Sequence, residues 1–195
     1  MLMVFNFFLL MMFFFPFSHR DHTEADNTTR RMSPPVPGVA WRQQAAEDPL
    51  KGQPLIIDGH VIPPGTQIGV SAYALHHNEK YFPSPFSFQP ERWLDAAKDP
   101  TQAARMRSAF MPFSVGSRSC AGKAMAYLEA SLVVAKALWY FDFEAAPGEL
   151  GHVGGGGPGK GVGRERPDEY QLYDIFAASH SGPYLVFNPR HQQKC

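Results

Sequence analysis

Along most of this chain, apolar residues come in runs too short for anything but small strands, separated by proline and glycine. One stretch departs from that pattern. From Ala121 to about Phe141, Ala124, Leu128, Ser131, Leu132, Ala135 and Leu138 recur at helical spacing, with Lys123, Glu129 and Lys136 elsewhere on the turn. The spacing predicts one long helix. Upstream, two β-branched runs flank Asp58-Gly59 between Pro54 and Val70, the signature of a tight hairpin, and Pro64-Gly65 precedes a further strand over Thr66 to Ser71. The prolines between Met32 and Arg42 fix φ and remove donors, so an extended chain runs there. A short helix is expected over Ala72 to Leu75, a Pro-studded loop over Phe82 to Phe88, and a turn over Pro90 to Leu94. Pro100 to Ser108 reads as a helical turn or loop. Gly148 to Gly163 reads as a flexible low-complexity loop, and Ile175 to Ala178 with Tyr184 to Phe187 as two closing strands around His180-Ser-Gly-Pro. The class is α+β: one strong helix, several short strands and much loop.

The N-terminus has a different texture. Met1 to Phe17 is almost wholly apolar, interrupted only by Asn6 and Pro16, and gives way to a polar run from Ser18 to Asp26. Seventeen residues sit at the lower edge of a membrane span. No positive region precedes the run and no small-residue cleavage site follows it, which argues against a signal peptide. Three readings remain: a membrane anchor, a buried or aggregating segment, or residues foreign to the domain. Localisation follows the same split, at the endoplasmic reticulum membrane with an anchor and otherwise intracellular.

Composition narrows the function by exclusion. The 195 residues suit one domain or a lobe of a larger one. Net charge is +0 with 18% charged residues, so no charge asymmetry points to nucleic acid. Two cysteines, Cys120 and the terminal Cys195, give no disulfide framework and suit a reduced setting.

The chemistry concentrates in Phe113-Ser-Val-Gly116-Ser-Arg118-Ser-Cys120-Ala-Gly122. A Cys thiolate is a strong axial ligand for haem iron. Gly116 and Gly122 remove Cβ bulk where the backbone turns beside a flat ring. Arg118 offers a forked donor to a carboxylate such as a propionate. A helix beginning just beyond Cys120 turns its free N–H groups toward the sulfur. A structural cysteine in a Gly/Ser turn is the plain alternative.

This stretch resembles the cysteine loop of the cytochrome P450 family, F-x-x-G-x-R-x-C-x-G, at all five fixed positions. Phe88-Gln-Pro90-Glu-Arg92-Trp93 resembles the family's P-E-R-F element, with Trp93 in the last place. In the family that arginine joins a Glu and an Arg in a buried triad. Arg31 matches the second arginine, but the glutamate position holds Thr28, which predicts that Arg31 and Arg92 lack their carboxylate. Arg42 lies where many members place a basic residue toward a propionate.

The resemblance covers Arg31 to Arg190, the C-terminal third of a member, and divides the chain into residues 1–30 and a haem-binding part over 31–195. It is closest in detail to fungal enzymes of the benzoate para-hydroxylase and trichothecene hydroxylase type. It implies a fragment of a mainly-α fold, haem b as cofactor and Cys120 as the metal ligand. Phe113, Gly116, Arg118, Gly122 and Arg42 would be the remaining cofactor-binding residues. It further implies hydroxylation of a small apolar or aromatic substrate with O2, electrons arriving from NADPH-cytochrome P450 reductase. The residues quoted serve cofactor capture and none is assigned as catalytic. The alternative is a non-catalytic remnant that binds haem weakly or not at all. Two other patterns carry less: adjacent His76-His77 cannot face one metal, and Gly154 to Lys160 lacks the Ser/Thr of a phosphate loop.

Overall fold

The computed structural model describes residues 21–44, 54–94, 98–167 and 169–190. Met1–Phe17, on which the anchor reading rests, lies outside the described residues. Among the described residues no helix is long and apolar enough to cross a membrane.

Helix α1 (Asp21–Met32) ends where Ser33 donates its N–H to the Thr29 carbonyl at 2.7 Å, because Pro34 and Pro35 cannot continue it. The chain then extends into β1 (Val39–Gln43). Strands β2 (Leu55–Ile57) and β3 (His60–Ile62) form the expected hairpin. Asp58 and Gly59 sit at φ 49° and 79°, the left-handed pair that a two-residue turn requires. Strand β4 (Gln67–Ser71) turns back onto β1 in antiparallel register, Val39 opposite Ser71 and Gln43 opposite Gln67.

Ser71 caps helix α2 (Ala72–His76): its hydroxyl accepts from the Ala74 N–H at 3.2 Å and donates to the Pro37 carbonyl at 2.8 Å. Two more helices follow, α3 (Glu91–Leu94) and α4 (Pro100–Ala109). The latter is a full helix rather than a turn. Asp99 accepts from the Gln102 N–H at 3.0 Å and Pro100 occupies the first turn, so both start signals act together.

The long helix is α5 (Lys123–Tyr140), and it runs without a connecting loop into β5 (Phe141–Ala145). The last third departs from expectation. Phe176, at φ 82°, breaks the anticipated strand into a hairpin of β6 (Tyr173–Ile175) and β7 (Ala177–Ser179). Strand β8 (Leu185–Pro189) pairs instead with β5, Phe143 opposite Phe187, and Arg190 bridges Asp142 at 2.7 Å. The first half of the glycine stretch is tied down: Gly156 and Gly157 donate to the Glu169 and Arg164 carbonyls at 2.9 and 3.0 Å, and a Cβ at Gly154 would lie 1.7 Å from the Ser181 carbonyl oxygen. Beyond it the loop stands open, with Val162 almost wholly exposed.

Two apolar clusters hold these parts together. Ala137 and Phe143 gather Leu138, Phe141 and Leu185 at the α5–β5 junction. Phe82, Met106 and Ala109 gather Leu75, Trp93 and Phe110 between α2 and α4. His76 is fully buried beside the second cluster, its ring 5.5 Å from Phe110 and 6.1 Å from Phe82. Its Nε2 accepts the Met111 N–H at 3.0 Å, which places the proton of the neutral ring on Nδ1. Burial pushes the His76 imidazole down to about 4, and His77 likewise, so both are neutral at physiological pH.

A histidine whose folded pKa is depressed contributes stability that is complete above its ordinary value and lost as pH falls through the folded one. The window is therefore pH 6.5 down to 4. Urea melts across that window are expected to show stability falling by ~3 kcal/mol for His76 alone. His76→Ala is expected to flatten the profile while lowering stability at pH 7 by ~2–4 kcal/mol, through the cavity and the unpaired Met111 N–H. An unchanged acid slope in the variant would refute this role.

Candidate functional site

The cysteine loop is built from both sides. Its entry is fixed by His76 holding Met111, and its closure by the Cys120 N–H donating to the Phe113 carbonyl at 2.9 Å. Between them a 3₁₀ turn over Gly116–Arg118 begins with Gly116 at φ 76°, a conformation glycine adopts without strain. The Ser119 N–H returns to the Gly116 carbonyl at 3.0 Å. Gly122 then forms the N-cap of α5. A Cβ there would stand 3.8 Å from Cys120 Sγ, in ordinary van der Waals contact with the sulfur.

Sequence reasoning missed the clamp on Phe113. Its ring lies 5.2 Å from that of Tyr127 on α5, and the Arg30 guanidinium of α1 lies over both, 5.1 and 4.7 Å from their centroids. Arg30 is held by Asp26 at 2.9 Å, one helical turn back, and Tyr127 donates to Asn27 Oδ1 at 3.2 Å. Burial raises the Asp26 carboxyl while Arg30 works against that rise. The legible signal was Asp26 and Arg30 four residues apart on one helix face.

Cys120 is a free, exposed thiol at a concavity of about 640 Å³. Phe113, Arg118 and Arg42 line the same space, so four of the six expected residues converge, while Gly116 and Gly122 shape the backbone. Arg42 is exposed on β1 and donates to its neighbour's Trp41 carbonyl at 2.8 Å. The walls are Val39 and Trp41 of β1, Val70 of β4, Met111, and Phe176 at the β6–β7 tip. None of these was expected from sequence. Their mark is exposure of large apolar side chains into one hollow, 59% for Trp41 and 83% for Phe176. The donor set fits haem: one sulfur ligand, two arginines for propionates and apolar walls for a flat ring.

Among the described residues no carboxylate pairs with Arg31. Fully buried, it donates to the His76 carbonyl at 2.9 Å and the Ser87 carbonyl at 3.4 Å, and its Nε finds no hydrogen-bond partner among the described residues. Burial, with a contribution from Arg92, pushes its guanidinium down to about 9. Arg92 donates to the Pro83 carbonyl at 3.0 Å and to Gln89 Oε1 at 3.0 Å. The two departures from the family pattern meet each other: the Trp93 indole N–H donates to Thr28 Oγ1 at 2.9 Å. His76 and His77 are occupied by packing and backbone contacts, and no cluster of metal-ligating side chains occurs among the described residues.

A profile of the family described as Cytochrome P450 matches residues 31–152. A cytochrome P450 monooxygenase of Gibberella zeae is 46% identical over 82% of this chain and 34% of its own length. The monooxygenase AKT7 of Alternaria alternata is 44% identical over 80% of this chain and 30% of its own length. Among solved structures, the heme domain of a cytochrome P450DA mutant superposes with TM-score 0.61 at 18% identity, covering 86% of this chain and 31% of that one. A cyanobacterial CYP120A1 bound to retinoic acid gives 0.53 at 27% identity, over 66% of this chain and 27% of that one. The chain belongs to the cytochrome P450 family. It spans about a third of the length of the curated relatives it matches.

Thr28 and Arg31 share a face of α1 three residues apart, so Thr28→Glu supplies the missing carboxylate and still accepts from Trp93. It is expected to stabilise the chain by ~1–3 kcal/mol, whereas Thr28→Val, which strands the buried indole N–H, destabilises it by a similar ~1–3 kcal/mol. Thermal unfolding of the two variants against the parent decides; opposite signs are required.

Proposed function

We propose that this chain forms the haem-holding part of a haem-thiolate monooxygenase. The observation that carries the reading is the convergence of Cys120, Arg118 and Arg42 on one apolar hollow. Haem b, when bound there, supplies the chemistry of activating dioxygen, with electrons from NADPH-cytochrome P450 reductase, to hydroxylate a C–H bond of a small apolar or aromatic substrate. The chain's own residues do the holding. Cys120 would offer its sulfur to the iron from a loop whose curvature is set at Gly116 and whose ends are pinned by Met111 and Phe113. Arg118 and Arg42 would pair with the haem carboxylates, and Val39, Trp41 and Val70 would exclude water from the hollow. The fungal relatives support placing the chain among fungal members, and the finer likeness to benzoate para-hydroxylases and trichothecene hydroxylases rests on Ala72-Tyr-Ala-Leu-His-His and the cysteine loop.

A second reading, haem capture without turnover, is favoured by one observation. Apart from Ala72, no α-helical residue lines the hollow, so among the described residues no helix presents proton-donating groups opposite Cys120.

The reduced, haem-reconstituted chain is expected to give a red-shifted Soret band with carbon monoxide, and Cys120→Ala is expected to lose it. A band that survives the substitution would exclude Cys120 as the ligand. Arg42→Ala and Arg118→Ala are each expected to weaken haem retention about tenfold, measured by transfer to apomyoglobin. Product formation with reductase, NADPH and an aromatic acid separates the two readings, because only the first yields a hydroxylated product.

A further inference from the structure

Two guanidiniums from different helices meet at one carbonyl oxygen. Arg31 of α1 is fully buried. Its Nη1 donates to the His76 carbonyl at 2.9 Å, and its Cζ lies 5.3 Å from the centre of the Phe82 ring. The other edge, where Nε and Nη2 form the fork that grips a carboxylate side-on, is underused. Nε has no partner among the described residues, and Nη2 reaches only the Ser87 carbonyl, at 3.4 Å. Nη2 of Arg92, on α3, reaches that same oxygen at 3.5 Å. The other acceptors of Arg92 are also neutral, the Gln89 and Pro83 carbonyls at 3.2 and 3.0 Å among them. The underused fork of Arg31 thus lies on the side where the second cation stands. Burial, and after it the charge of Arg92, pushes the Arg31 guanidinium down to about 9.

We propose that Arg31 and Arg92 together bind a small monovalent carboxylate, of formate size. A buried donor without an acceptor is costly, and two like charges turned to one neutral oxygen repel each other. A planar carboxylate answers both: one oxygen accepts from Nε of Arg31, the other from Nη2, and the negative charge comes to lie between the cations. The surroundings limit size and charge. Arg31 is wholly out of solvent between the His76 carbonyl and the Phe82 ring, which restricts the guest to a few atoms. Arg92 is half-buried and lines an open cleft of about 380 Å³, which gives the route from solvent. Glu91 and Asp99 share the wall of that cleft, so a multiply charged anion is repelled at the entrance. Glu91 acts on Arg92 but not on Arg31, so the inner cation keeps its need for an acceptor.

Thermal unfolding of the full chain in sodium formate, acetate and butyrate, at one pH and one ionic strength, reads this directly. Formate is expected to raise the midpoint saturably, by about 4 °C at ten times its half-saturating concentration. Acetate is expected to act more weakly and butyrate not at all. Thr28→Glu places a carboxylate of the chain's own one turn before Arg31, and is expected to abolish the response to formate. An equal rise with all three salts, which is an effect of bulk salt, overturns the proposal. So does the absence of any rise, or a formate response that survives Thr28→Glu. Should Thr28→Glu fail to fold, Arg92→Gln takes its place and is expected to raise the half-saturating formate concentration about tenfold. An unchanged concentration in that variant overturns the proposal equally.

Discussion

The buried, neutral ring of His76 is the interaction on which the site depends. One residue ties three segments: its carbonyl takes the Arg31 guanidinium from α1, its Nε2 takes the first amide of the cysteine loop, and its ring packs against Phe110 and Phe82. Only the neutral imidazole can do this, since protonation would turn the acceptor nitrogen into a donor facing another donor. The surroundings enforce neutrality through desolvation, and the cation of Arg31 next to the ring works in the same direction. The Arg31 guanidinium is met in part by the His76 and Ser87 carbonyls, while the His76 ring accepts the Met111 N–H.

Around that anchor, the cysteine loop is assembled by contacts of different sequence range. Gly116 curves it locally, Phe113 closes it onto Cys120, and Arg30, from almost ninety positions upstream, lays a cation across Phe113 and Tyr127. The last of these couples α1 to the N-terminal half of α5, so the loop is held between two helices rather than hanging from one. The arginines that face the hollow, Arg42 and Arg118, are by contrast exposed. The backbone around the sulfur is thus held from several sides, while the cations stand at the rim of the hollow.

What could be read from sequence follows the range of the interaction responsible. The Asp58-Gly59 turn and the extent of α5 are encoded within ten to twenty adjacent residues, and they stand as expected. Helix α4 was underestimated because its periodicity is weak, although Asp99 and Pro100 announced it. The partner of β8 was not legible, because no local feature tells Leu185–Pro189 to pair with Phe141–Ala145. Nor was the break at Phe176, where a bulky residue holds a positive φ that tertiary contacts impose. The glycine stretch misled for a related reason: its composition is that of a linker, while the backbone of its first half is hydrogen-bonded into the structure. The absence of a carboxylate at Thr28 was legible; its hydrogen bond with Trp93 was visible only in three dimensions.

The seamless passage from α5 into β5 has a bearing on how the chain is made. The helix carries the cysteine loop at one end and, about 27 Å away, a strand whose one ladder partner among the described residues is β8. Residues 185–189 leave the ribosome some forty residues after β5, and until they arrive the strand at the far end of the helix lacks β8. The cysteine loop, complete by position 122, is joined by Phe176 at the β6–β7 tip only some fifty residues later. During synthesis the sulfur and the contacts that hold its loop are thus present before the last wall of the hollow has been made.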